Sequence, residues 1–160
     1  MTADTAGAVF PAETVLSDGS VYRVVPVEAG VRAIRAWAEY PWPMSPAQAL
    51  ALRDRLGWTS SPTNERMFTT DHGIGEKDAS FNTIEAGGDT RTVSSFHLSL
   101  TSRIPKPVRA EAVPTAERAF NAYVEALTAV YGQGARSRSR GVLSVKWTPP
   151  NDTLVDIGTV

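Results

Sequence analysis

Cysteine is absent from this 160-residue chain. Neither a disulfide framework nor a thiolate zinc site can therefore form, and the absence fits a reducing, cytoplasmic setting. No stretch approaches the ~18 apolar residues that a membrane-spanning helix needs, so no membrane partner is expected. Charge of one sign is missing too. Sixteen Lys and Arg offset seventeen Asp and Glu, leaving a net charge of -1 and no global field for nucleic acid. Histidine is scarce, with only His72 and His97. No Gly-x-Ser-x-Gly elbow, no Gly-Lys-Ser/Thr phosphate loop, no Asp-x-Asp and no Glu-x-x-His occurs, and no cofactor is expected. There is no internal repeat.

What remains is an ordinary globular composition, 42% hydrophobic and 21% charged, of a length that suits one domain. The opening "MTADTAGAVFPAE" lacks the basic and apolar regions of a signal peptide, and 1–12 read as a disordered small-residue tail before a domain at 13–160. "ETVLSDGSVYRVV" places Ser-Asp-Gly between two β-branched runs and reads as a hairpin. Val27, Val31, Ile34 and Trp37 recur at helical spacing, against which Gly30 costs about 1 kcal/mol relative to alanine. Pro41 and Pro43 break the chain. Between them and on either side, Tyr40, Trp42 and Met44 read as a plug at the edge of a core. Ser45, Pro46 and Gln48 form a capping box that starts a second helix, closed by Gly57.

The period then changes to two. Strands are expected at "RMFTT" (66–70), "ASFNTIEA" (79–86, ending at the turn 87–89) and 92–104. In the last, Phe96, Leu98, Leu100 and Ile104 share one face and His97 the other. "PKPVRAEAVP" reads as a loop. A helix follows over 116–131, capped by Thr115, with Phe120, Tyr123, Val124, Leu127, Val130 and Tyr131 as its apolar stripe. Strands at 142–147 and in "TLVDIGTV" close the chain. The order α-α-β-β-β-α-β-β predicts an α+β fold, a curved antiparallel sheet of about five strands packed by helices on one face.

Two segments concentrate candidate functional side chains. "TTDHGIGEKD" (69–78) holds Asp71, His72 and Glu76 around a Gly-x-Gly. It lacks the third glycine of a dinucleotide fingerprint and precedes a strand, so it reads as a turn with partner-facing charges. "ARSRSRG" (135–141) holds Arg136, Arg138 and Arg140. If extended, these lie on one side about 6–7 Å apart, suited to carboxylates or phosphates. No aromatic interleaves them to stack bases, which favours a solvated loop or an acidic protein surface over nucleic acid. His97, with Ser95 and Ser99 on its face, reads as a solvated sheet-face histidine, since the Ser–His pair this geometry allows lacks an evident third group.

Three stretches, "AWAEYPWPMSPAQALALRDRLGW", "MFTTDHGI" and "LTAVYGQG…VKWTPPNDTLVDI", together resemble an uncharacterised family of small actinobacterial α+β proteins, some of them counted among polymorphic-toxin immunity proteins. The matching positions are structural and carry no chemistry. Many relatives have proline after the helix-terminal Tyr-Gly where this chain has Gln133. The resemblance implies a cytoplasmic, non-enzymatic immunity protein whose partner is a cognate toxin. A secretion chaperone or adaptor, homodimeric and holding a secreted effector, is the alternative, and an enzyme using His72 or His97 the third.

Overall fold

A computed structural model describes residues 10–85, 87, 91–151 and 153–159. The expected α+β domain is built as two compact units, one formed by the chain up to Glu39 together with Thr101 onward, the other by Tyr40–Leu100. In place of one five-stranded sheet, the described residues form three small antiparallel sheets of two, four and three strands.

In the first unit, β1 (Glu13–Val15) and β2 (Val21–Arg23) form the N-terminal hairpin, turned at Gly19, whose φ of 87° suits glycine. Residues 1–9 of the expected tail lie outside the described residues, but Phe10 packs against a core of Leu16, Tyr22, Val24, Val108, Ala112 and Ala119. The backbone carbonyl of Ala12 also accepts from Val24 N–H at 3.0 Å. Order therefore begins upstream of 13.

Helix α1 (Val27–Ala38) follows, and the last helix, α3, runs Arg109–Tyr131 behind a short 3-10 turn at Lys106–Val108. The helix start expected at 116 is thus seven residues late, and Thr115 is a buried helical residue rather than a cap. Pro114 misleads here: it lies in the second turn, where its missing N–H removes one helical bond, that to the carbonyl of exposed Ala110. Burial of Val108 and Ala112 in the hairpin core outweighs that loss, and Glu111 in the first turn accepts from both N–H and Oγ of Ser17.

Tyr123 fastens α3 to α1. Its hydroxyl donates to the carbonyl of Val25 at 2.6 Å and approaches that of Pro26 at 3.1 Å. Gly30 faces it so closely that a Cβ there would stand 2.1 Å from the Tyr123 oxygen. The glycine that weakens the helix signal is what lets the tyrosine in. At the other end of α1, the Ala38 carbonyl accepts from Asn151 Nδ2 at 2.7 Å and Thr153 Oγ1 at 3.0 Å. Glu39 accepts from Arg35 at 2.6 Å and from the Tyr131 hydroxyl at 2.8 Å, and the Arg35 bond chiefly holds its carboxyl below the usual range.

Burial pushes up the phenol pKa values of Tyr22, Tyr123 and Tyr131, with Glu39 adding to the rise at Tyr131. These groups ionise more readily unfolded than folded. Their stabilising contribution is whole below their ordinary value of 10.0 and is lost as pH climbs from there through the raised folded values. Urea midpoints measured between pH ~9 and ~11 are expected to fall with pH, and Tyr123→Phe to flatten that slope. An unchanged slope would show that Tyr123 ionises as freely folded as unfolded.

The second sheet of this unit is β7 (Ala135–Ser139), β8 (Val142–Trp147) and β9 (Val155–Gly158), in that order. Val145 pairs with Ile157, and Trp147 with Val155, giving one apolar face. Trp147 Nε1 donates to the Gly132 carbonyl at 2.8 Å and so seals the end of α3.

In the second unit, α2 (Pro46–Arg55) starts at the expected capping box, with both Ser45–Gln48 bonds formed. Met44 is fully buried and Tyr40 and Trp42 half-buried, the plug read from the sequence. The four-stranded sheet runs β3 (Thr59–Ser60), β4 (Met67–Thr69), β5 (Ala79–Glu85) and β6 (Arg91–Leu98). Of the turn expected at 87–89, residues 88 and 89 lie outside the described residues. A bulge in β6 answers a conflict of period: Val93 and Phe96 have opposite parity, yet pair with Thr83 and Phe81, which have the same parity. One extra residue in β6 returns both to the same face, where strict alternation would have exposed Val93.

Candidate functional site

The segment 69–78 is the β4–β5 connection, as its Asp and Gly content predicts. Gly73, Gly75 and Lys77 all have positive φ, at 73°, 140° and 55°. Its neck is closed by a residue that sequence reasoning passed over. Asp78, only 7% exposed, accepts from the Thr70 N–H at 2.8 Å and from the Thr70 hydroxyl, while its own carbonyl accepts from Ser99 N–H at 2.8 Å. Lys77 N–H donates to Thr69 Oγ1 at 3.0 Å and His72 N–H to Thr70 Oγ1 at 3.2 Å. A Thr-Thr pair followed eight residues later by Asp was the available signal.

Within this loop the three candidates part company. Asp71 is on the surface, its side chain 70% exposed, and accepts from Trp58 Nε1 at 3.2 Å. Glu76 is exposed. His72 is not a surface residue: its side chain is 8% exposed and meets the Trp58 ring edge to face at 5.9 Å. Trp58 stacks in turn against Phe96 at 6.3 Å. The imidazole Nε2 is 3.9 Å from Asp71, beyond hydrogen-bond reach, and Nδ1 is buried without a partner among the described residues. His72 packs in the Trp58 cluster, whereas Asp71 and Glu76, expected beside it as partner-facing, are exposed.

His97 is exposed on β6, across from Ser80. Ser95 Oγ accepts from Asn82 Nδ2 at 3.1 Å, across the strand pair rather than toward an imidazole. Among the described residues no three His, Asp or Glu side chains come together as a metal site.

The arginine-rich segment is a strand rather than a loop. β7 and β8 form a hairpin whose flanking pair is Ser139 and Val142, leaving Arg140–Gly141 as a two-residue turn. Both turn residues have positive φ, 52° and 80°, the primed geometry that matches strand twist. Arg140 therefore leaves the row, and only Arg136 and Arg138 share a strand face. They pair across to Val145 and Leu143, so they lie on the apolar side of the sheet, at its uncovered edge. Ser137 occupies the other side, 2.8 Å from Ser144. Two alternating runs separated by Arg-Gly are a hairpin signal, masked by the absence of any apolar residue larger than alanine in the first run.

The fold and these surfaces define an α+β protein that carries its candidate residues on two hairpin connections and one edge strand. The chain belongs to DUF6301, a family of unknown function, whose match spans residues 28–160. No curated protein and no solved structure matches it. The β1–β2 hairpin lies outside the family match, although Tyr22 and Val24 share their core with α3.

Proposed function

We propose that this chain is a cytoplasmic, non-enzymatic immunity protein that binds the toxic domain of a cognate secreted effector and blocks it. The observation that carries the reading is β7, five consecutive exposed residues presenting two arginines from a fixed strand. A guanidinium row held by a backbone ladder suits recognition of an acidic surface, with charge steering the encounter and fixing register. Asp71 and Glu76 add opposite charge on the β4–β5 connection. The two histidines support the non-enzymatic reading by position. One is buried against Trp58, and the other stands on an exposed strand face across from Ser80. The resemblance to an uncharacterised family of small actinobacterial proteins, some of them counted among immunity proteins, adds an association of the same kind.

The free edge of β7 also favours a second reading, a secretion chaperone or adaptor that holds an extended segment of an effector before export.

Co-expression with a cognate toxin domain tests the proposal. Growth is expected to be restored, and Arg136→Ser, Arg138→Ser and Arg140→Ser combined to weaken the complex about tenfold. A toxin that stays lethal at equal expression sinks the immunity reading. Binding that leaves the toxin lethal selects the adaptor.

A further inference from the structure

Most strand edges of this protein are short, or occupied by other backbone. β3 has two residues. The outer edge of β6 is interrupted by its bulge and bonded at one point, where the Met44 carbonyl accepts from Val93 N–H at 2.8 Å. β2 continues into a bridge between Val24 and Thr101, with Ser102 N–H bonded to the Arg23 carbonyl at 2.8 Å. β7 differs. It is five residues long, carries no proline or bulge, and among the described residues has β8 as its sole backbone partner.

The two-residue turn fixes which groups face outward. Such a turn is closed by a hydrogen-bonded pair, here Ser139 with Val142, and the ladder alternates from there. Ser137 and Ala135 thus bond toward β8, while Arg136 and Arg138 direct their backbone N–H and C=O to the open edge. The same two residues carry the guanidinium groups. An incoming strand that hydrogen-bonds to them places its own residues, two apart, directly across from two arginines.

We propose that β7 is a strand-addition site for an extended segment of a protein partner that bears carboxylates at alternate positions. Main-chain bonds to Arg136 and Arg138 supply the pairing, and cross-strand arginine–carboxylate pairs select the sequence. A second copy of this chain is disfavoured by the same geometry, since antiparallel self-pairing about Ser137 sets Arg136 opposite Arg138 twice, like charge against like. The inference rests on the binding-protein reading and names the chemistry of what is bound.

The test uses the full chain and a synthetic pentapeptide, Thr-Glu-Val-Glu-Thr with blocked ends. Two controls accompany it: one with lysine replacing glutamate, the other N-methylated at both glutamates. Amide exchange and NMR titration are expected to show protection at Arg136 and Arg138. Affinity should fall about tenfold for the lysine peptide, and more for the N-methylated one, which cannot form the ladder. The variant Arg136→Glu/Arg138→Glu should reverse the preference between the glutamate and lysine peptides, its fold checked by circular dichroism. Equal binding of the N-methylated peptide, shifts centred away from β7, or no binding at millimolar concentration would each overturn the site. Toxin neutralisation that persists in the charge-reversed variant would remove the edge site and leave the immunity reading standing. Peptide capture without neutralisation would do the reverse.

Discussion

Gly30→Ala is expected to destabilise the protein by about 3 kcal/mol, opposite in sign to the same change in an exposed helix, where it gains up to about 1 kcal/mol. The added methyl would stand 2.1 Å from the Tyr123 hydroxyl oxygen and 2.6 Å from its ring. Something must move. Tyr123 has little room to do so, being 1% exposed and bonded to the Val25 carbonyl at 2.6 Å. Overpacking costs about 1–3 kcal/mol, and a buried carbonyl and hydroxyl left apart cost about 1–3 more, so strain outweighs helix propensity. For a chain of this size each kcal/mol lowers the melting temperature by about 2–4 °C, a shift that calorimetry resolves. Tyr123→Phe in the same background should recover only part of the loss, because the ring atoms at 2.6 and 2.7 Å remain. A Gly30→Ala protein as stable as the parent would mean that α1 and α3 separate at no cost, contrary to the close packing found here.

Asp78→Ala is the second large effect, expected at about 2–4 kcal/mol and confined to the unit Tyr40–Leu100. The carboxylate serves two donors on Thr70, both in the buried neck of the β4–β5 connection. Hydrogen bonds to a charged acceptor contribute about 1.5–3 kcal/mol each, and removing the acceptor strands a buried N–H and a buried hydroxyl. Thr70→Val in addition should cost less than the sum of the single changes, since the hydroxyl is then no longer left unpaired. The measurement is amide exchange at Thr70, His72 and Lys77, which should quicken in Asp78→Ala while β7–β9 amides keep their rates. Unchanged protection at Thr70 would show that water replaces the carboxylate at little cost.

The two substitutions mark where sequence reading stops. Gly30 reads as a weakness of α1 because helix propensity is a local quantity, and the ring that needs the space lies beyond any local window. Asp78 escapes notice because a single acid before a strand looks like any other turn residue. His72 draws attention for its chemistry, yet its surroundings are Trp58 and, through Trp58, Phe96. β7 is hard to read as a strand because Ala-Arg-Ser-Arg-Ser has no buried residue to reveal its alternation.

What the residues determined unaided is the set of signals complete within a few positions. These are the Ser45–Gln48 capping box, the apolar stripe of α3 from Phe120 to Leu127, the alternation of Leu143, Val145 and Trp147, and the glycine-rich turn after Thr70. Each rests on neighbours in sequence, so its pattern is complete before the chain closes. Tertiary structure alone decided that α3 begins at Arg109, that β6 bulges to reconcile Val93 with Phe96, that His72 is buried and that the β7 edge stays open. Those outcomes depend on pairings between distant segments, such as Tyr123 with Val25 at a separation of 98 residues, where burial and hydrogen bonding outweigh what each segment prefers by itself.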